Sequence, residues 1–108
     1  MKVCFETKKL AQWATNEKKR QKELGPLRAR LFAQRIDDLR AADSMDELVY
    51  YPGRYHPLRE DRKGQWACDL DQPYRMVFSP IVQVKDGKEI LKVEVKEVKI
   101  EEICNYHE

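Results

Sequence analysis

Two histidines, His56 and His107, are the only side chains of the 108-residue sequence that exchange protons near neutral pH without a shift in environment. Both have companions of the right kind. His56 lies in the run Arg54-Tyr55-His56-Pro57-Leu58-Arg59-Glu60-Asp61-Arg62-Lys63-Gly64-Gln65-Trp66. His107 follows Asn105-Tyr106 at the end of the chain. A few residues beyond the first run, Arg75 stands inside Tyr74-Arg75-Met76-Val77-Phe78. This set matches the needs of phosphodiester cleavage without a metal. A 2′-hydroxyl attacks its own 3′-phosphorus, one group takes its proton, another protonates the departing 5′-oxygen, and cations hold the growing charge. An aromatic surface keeps the flanking bases in line.

Each residue also has a plainer reading. His56 could be an ordinary strand residue and His107 an exposed tail residue. Arg59, Arg62 and Lys63 are candidate phosphate clamps, yet for Arg62 and Lys63 position alone favours a solvated turn. Glu60 and Asp61 partly offset their charge. Arg75 is more telling. An arginine inside an apolar strand is costly unless it meets solvent, a partner or a ligand. Tyr106 could stack on a base or offer its hydroxyl to phosphate, or pack on a sheet. Tyr55, Tyr74 and Trp66 read as structural.

Positioning these residues falls to elements that the pattern outlines. Val3-Cys4-Phe5 is a β-prone start. A helix is expected from Lys8 to Leu24, with Thr7 as N-cap and Leu10, Trp13 and Ala14 as its apolar stripe. Beyond Asn16 that helix is nearly all charged, so its second half should be solvated. Gly25 stops it, and Pro26 opens a second helix to about Ala42. The buried face of the second helix is read as Leu27, Leu31, Phe32, Ile36 and Leu39, with Arg28, Arg30, Arg35 and Arg40 mostly elsewhere. Ser44 to Glu47 has capping-box spacing and predicts a short helical turn through Val49.

Strands follow. Trp66, Cys68 and Leu70 share one face, opposite Gln65, Ala67 and Asp69. Asp71-Gln72-Pro73 turns the chain. Tyr74, Met76 and Phe78 take one face of the next strand, Arg75 and Val77 the other, and Pro80 should end it. Ile81 to Leu91 contains the hairpin signal Asp86-Gly87. Val93 and Val95 are out of phase with Val98 and Ile100, so a bulge is expected near Lys96-Glu97 in one long last strand. The sum is a single domain over residues 1–108. Its class is α+β: an antiparallel or mixed sheet of four to five strands with an N-terminal helical hairpin on one face.

Composition narrows the alternatives. Charged residues make up 37% of the chain but the net charge is only +2, so overall charge does not signal a nucleic-acid binder. Cys4, Cys68 and Cys104 are too few and too scattered for a disulfide framework or a zinc site. Cys68 alternates with apolar residues and reads as buried, not nucleophilic. There is no glycine-rich phosphate loop. No metal or cofactor is expected. Neither a signal peptide nor a membrane-spanning run is visible, which makes the cytoplasm the expected compartment.

Taken together, His56-Pro57-Leu58-Arg59 leading to Lys63-Gly64-Gln65-Trp66, the strand around Arg75, and Asn105-Tyr106-His107 resemble the RelE/HigB-type toxins of bacterial type II toxin–antitoxin pairs. The resemblance covers nearly the whole chain in element order. It implies a RelE-like fold and a ribosome-dependent endoribonuclease acting on mRNA in the A site of the 70S ribosome. In that scheme His56, Arg75, Tyr106 and His107 are catalytic, with Arg75 as the transition-state cation, and Arg59, Arg62 and Lys63 contact RNA phosphates. A cognate HigA-like antitoxin is implied as partner, with a heterotetramer as one form of the complex. The sequence departs from the pattern at Arg59, where lysine is common, and at Asn105, where aspartate is usual. Asn105 thus marks a position that tunes its neighbours. The stretch from Ile81 to Leu91 is longer than in compact members. Two alternatives share the fold: a ParE-type toxin directed at gyrase, and a non-catalytic relative that only binds its antitoxin.

Overall fold

The computed structural model describes residues 1–82 and 95–105. The chain begins with strand β1 (Lys2–Phe5), followed by helices α1 (Lys8–Thr15), α2 (Glu17–Leu24) and α3 (Pro26–Ala41). A 3-10 turn at Asp46–Tyr50 leads to β2 (His56–Pro57), and a second at Glu60–Arg62 to β3 (Trp66–Asp69). Strands β4 (Tyr74–Pro80) and β5 (Glu97–Asn105) complete one sheet in the order β1-β5-β4-β3-β2. β1 runs parallel to β5, while the other pairs are antiparallel. The sheet is therefore mixed and five-stranded, with the helices on one face, and the class is α+β.

The helices begin and end where local chemistry dictates. Thr7 Oγ1 accepts from the Leu10 amide at 3.1 Å and starts α1. The expected single helix from Lys8 to Leu24 is two. Asn16 is extended (φ −123°, ψ 98°) and ends α1, and its Oδ1 accepts from the Lys19 amide at 3.0 Å to start α2. A side chain that competes with the backbone in this way favours a cap over a helix interior. Arg20 seals the joint by donating to the Trp13 carbonyl at 2.7 Å. α2 buries none of its residues, as its charge pattern predicts. Gly25, at φ +82°, makes the turn into Pro26.

The buried face of α3 is Ala29, Phe32, Arg35, Ile36 and Leu39. Two expectations fail here. Leu27 is half exposed, because five positions from Phe32 is about 140° around a helix. Arg35, expected outside, is only 7% exposed. Phe32, Ile36 and Leu39 pack with Leu10 against Cys68, Met76, Phe78, Val98 and Ile100 of the sheet. Trp13 meets Phe32 edge-on, with centroids 6.2 Å apart. The Met1 nitrogen donates to the carbonyls of Leu39, Arg40 and Ala42, which ties β1 to the end of α3. Ser44 Oγ accepts from the Glu47 amide and Glu47 reaches back to the Asp43 amide, much as the capping-box spacing predicts.

The face assignments in β3 and β4 hold. Cys68, Met76 and Phe78 lie in the core, with Val77 and Ala67 on the opposite face. β4 ends at Pro80. The expected bulge near Lys96-Glu97 is instead at Glu101: Val77 pairs with Glu102 while Phe78 pairs with Ile100. One skipped residue lets both Ile100 and Ile103 face the core. The Asp86-Gly87 signal lies outside the described residues. Among the described residues, no helix is long and apolar enough to cross a membrane.

Candidate active site

The sheet has a second face, away from the helices, and strand register shows what is on it. His56 pairs with Ala67, Ala67 with Val77, and Val77 with Glu102. Residues directly opposite in an antiparallel pair project to the same side. His56 therefore shares a rung with Glu102 across four strands. Two residues along, a parallel rung holds Asp69, Arg75 and Cys104. Strand spacing puts the His56 and Arg75 Cα atoms roughly 12 Å apart on this face.

His56 is presented by its neighbour. Tyr55 is buried, its hydroxyl 3.3 Å from Asp38 Oδ2 and 3.4 Å from the Arg35 carbonyl, and its ring meets Phe78 edge-on. Strand alternation then turns His56 outward, half-buried. Its Nδ1 lies 2.6 Å from the Arg54 carbonyl oxygen. An oxygen that can only accept requires that nitrogen to carry the hydrogen. In the neutral ring the lone pair is then on Nε2.

Arg75 lies along the same face, its Nε 3.5 Å from Cys104 Sγ. It stands directly across from Asp69, a pairing of opposite charges in register. Arg62 reaches over the sheet from the turn after β2. Its guanidinium donates to Glu102 Oε1 at 2.6 Å and to Gln65 Oε1 at 3.2 Å. The hydrogen bond to Glu102 holds the Arg62 pKa above its usual value. Because Glu102 is in register with Val77, and Val77 with Ala67, the Arg62 side chain crosses above that pair, and both are fully buried. Arg59 and Lys63 flank the 3-10 turn and are exposed. Glu60 holds a left-handed backbone at φ +58°.

The structure thus brings His56, Arg62 and Arg75 onto one face and leaves Arg59 and Lys63 at its solvent edge. Asn105 ends β5 in register with Tyr74, one residue from Cys104 and so on the helix side. Tyr106 and His107 lie outside the described residues. Reading cations alone overlooked three acidic residues of this face: Asp69, Glu101 and Glu102. The signal for Asp69 was present, since a hairpin centred on Asp71-Gln72-Pro73 places Asp69 opposite Arg75. Among the described residues, no three His, Cys, Asp or Glu side chains are grouped to hold a metal ion.

Neither a family model nor a curated protein matches the chain. Among solved structures it is similar to the "YoeB/ParE toxin from Agrobacterium tumefaciens", with a TM-score of 0.49 and 17% identity over 97% of this chain and 98% of that one. A likeness of that degree carries no argument about activity, and the reading of the site stands on its own residues.

Proposed function

We propose that this protein is the toxin of a type II toxin–antitoxin pair, a RelE/HigB-like endoribonuclease that cuts mRNA on the ribosome and is restrained by a small antitoxin. The observation that carries the proposal is the sheet face shared by His56 and Arg75, away from the helices, with His56 Nδ1 engaged by the Arg54 carbonyl. The motif resemblance over His56 to Trp66, Tyr74 to Phe78 and Asn105 to His107 supports it from the sequence side.

In this reading the 2′-hydroxyl attacks the adjacent phosphorus in line. His56 and His107 divide the proton transfers, with His56 working through Nε2. Arg75 steadies the charge that builds on the phosphoryl oxygens. Tyr106 stacks on or hydrogen-bonds the nucleotide at the scissile bond. Arg59, Arg62 and Lys63 hold flanking phosphates as sequence-independent contacts. Asn105 stands next to this pair and tunes it.

The test is inducible expression in bacteria with mapping of mRNA 5′ ends. Growth arrest with codon-associated cuts is expected. His56→Ala and His107→Ala should each lower cleavage by about 10²–10⁴-fold, the usual worth of a general acid or base. Cuts unchanged in both variants would sink the proposal. Arrest with DNA damage and intact mRNA would replace it with the gyrase-directed alternative. No growth effect, with antitoxin binding retained, would leave a binding-only relative.

A further inference from the structure

The left-handed backbone of Arg54, at φ +50°, is unusual for a residue with a side chain. Such a conformation is strained for a residue with a Cβ and persists where its surroundings enforce it. The enforcing contacts converge on Asp69. Its carboxylate Oδ2 lies 2.9 Å from Arg54 Nε. Its amide donates to the Gly53 carbonyl at 2.7 Å, and its carbonyl accepts from buried Arg35 at 2.8 Å. On the far side of Arg54 the chain is fixed by buried Tyr55.

The Arg54 carbonyl then points at His56 Nδ1, 2.6 Å away. The consequence is chemical. Free histidine in water prefers its hydrogen on Nε2. Here Nδ1 must carry it, and Nε2 becomes the acceptor. A histidine in the wrong tautomer keeps its place but loses its use as a base.

We propose that Asp69 and Arg54 are positioning residues for His56: the Asp69 carboxylate clamps the Arg54 side chain, and the Arg54 carbonyl selects the Nδ1–H tautomer, which leaves the ring's lone pair on Nε2. The catalytic consequence rests on the function proposed above; the tautomer does not.

The test reads the imidazole directly, by long-range ¹H–¹⁵N spectra of the full chain with the ring deprotonated. Because the chain has only two histidines, a His107→Gln background leaves the His56 signals alone. The expected pattern is Nδ1–H in that background, a shift to mainly Nε2–H in Asp69→Ala and Arg54→Ala, and Nδ1–H kept in Arg54→Lys. Arg54→Gly adopts the left-handed backbone without strain and keeps the carbonyl, so it should retain Nδ1–H without the clamp. With His107 restored, Arg54→Ala should lower the cleavage rate constant on the order of 10–100-fold with little change in KM, and Arg54→Lys should recover most of it. An Nε2–H signal in the His107→Gln background would overturn the inference. So would a tautomer indifferent to both Arg54→Ala and Asp69→Ala. The expected tautomers in a protein that never cuts RNA would defeat the proposed activity and leave the positioning intact.

Discussion

The Arg35 guanidinium leaves no room for a side chain at Gly53: a Cβ there would lie 2.6 Å from Nε and 2.8 Å from Cζ. Arg35 cannot swing aside, because it is buried and its Nε is committed to the Asp69 carbonyl. Gly53 also has φ +117°, where an L side chain is strained in any case. Gly53→Ala is therefore expected to cost about 2 kcal/mol or more in urea unfolding. A loss below about 0.5 kcal/mol would show that Arg35 moves freely.

The same contact gives a second, sharper expectation. Arg35→Met keeps much of the bulk but removes the donor to the Asp69 carbonyl, at a cost of about 1–3 kcal/mol. In the double variant the methionine can yield, so part of the Gly53→Ala penalty should vanish. The coupling should exceed about 1 kcal/mol. Additive losses would mean that backbone strain alone limits Gly53.

These two residues also show what the sequence could and could not reveal. Periodicity identified the strands, the Gly25-Pro26 corner, Thr7 as a cap and the faces of β3 and β4, because each is set within a few residues. Arg35 is three positions after Phe32 and hence on the buried stripe by geometry. Its charge argued it outward, and only the Gly53–Asp69 turn, distant in sequence, accounts for it. Asn16 reads as helix interior because the charged run continues through it, yet its side chain bonds the Lys19 amide and starts a new helix. Arg62 and Arg75 were legible as cations, but the carboxylates facing them come from β3 and β5, and only strand register brings them together.

Asp38 supplies a pH dependence. Burial raises its pKa, with the Tyr55 hydroxyl and Arg35 acting in the opposite direction. The folded state thus holds the Asp38 proton more tightly than the unfolded chain does. Its contribution favours folding at low pH and is lost as pH rises through the raised value. Asp38→Asn, which can still accept from Tyr55, lacks this loss. Relative to the parent, the Asn variant should gain in urea midpoint as pH rises from below the ordinary aspartate range to neutrality. A gap that stays constant or moves the other way would contradict the burial account.

The three thiols should separate by accessibility. Cys68 is fully buried, and burial pushes its pKa well up, whereas Cys4 and Cys104 are half-buried. A thiol reagent at mildly alkaline pH should modify Cys104 and Cys4 first. Cys68 should react at least about 10³-fold more slowly, because its reaction requires opening of the core. Similar rates for Cys68 and Cys104 would place Cys68 outside the core.

Glu102 competes for the cation that RNA would need. Arg62 is bound to Glu102 at 2.6 Å, and both side chains are partly exposed, so the pair adds little to stability. Glu102→Gln should leave the unfolding free energy within about 0.5 kcal/mol. It should also free Arg62 for phosphate. If Arg62 contacts RNA, affinity for a short single strand should rise about two- to fivefold, the worth of one exposed ion pair. The slope of log K against log salt should steepen by about 0.7, one more phosphate contact. Fluorescence anisotropy across a salt series measures both, in a His56→Ala background that leaves the RNA uncut. A variant that binds as the parent does at every salt concentration would remove Arg62 from the RNA-binding set and leave its role to the sheet it covers.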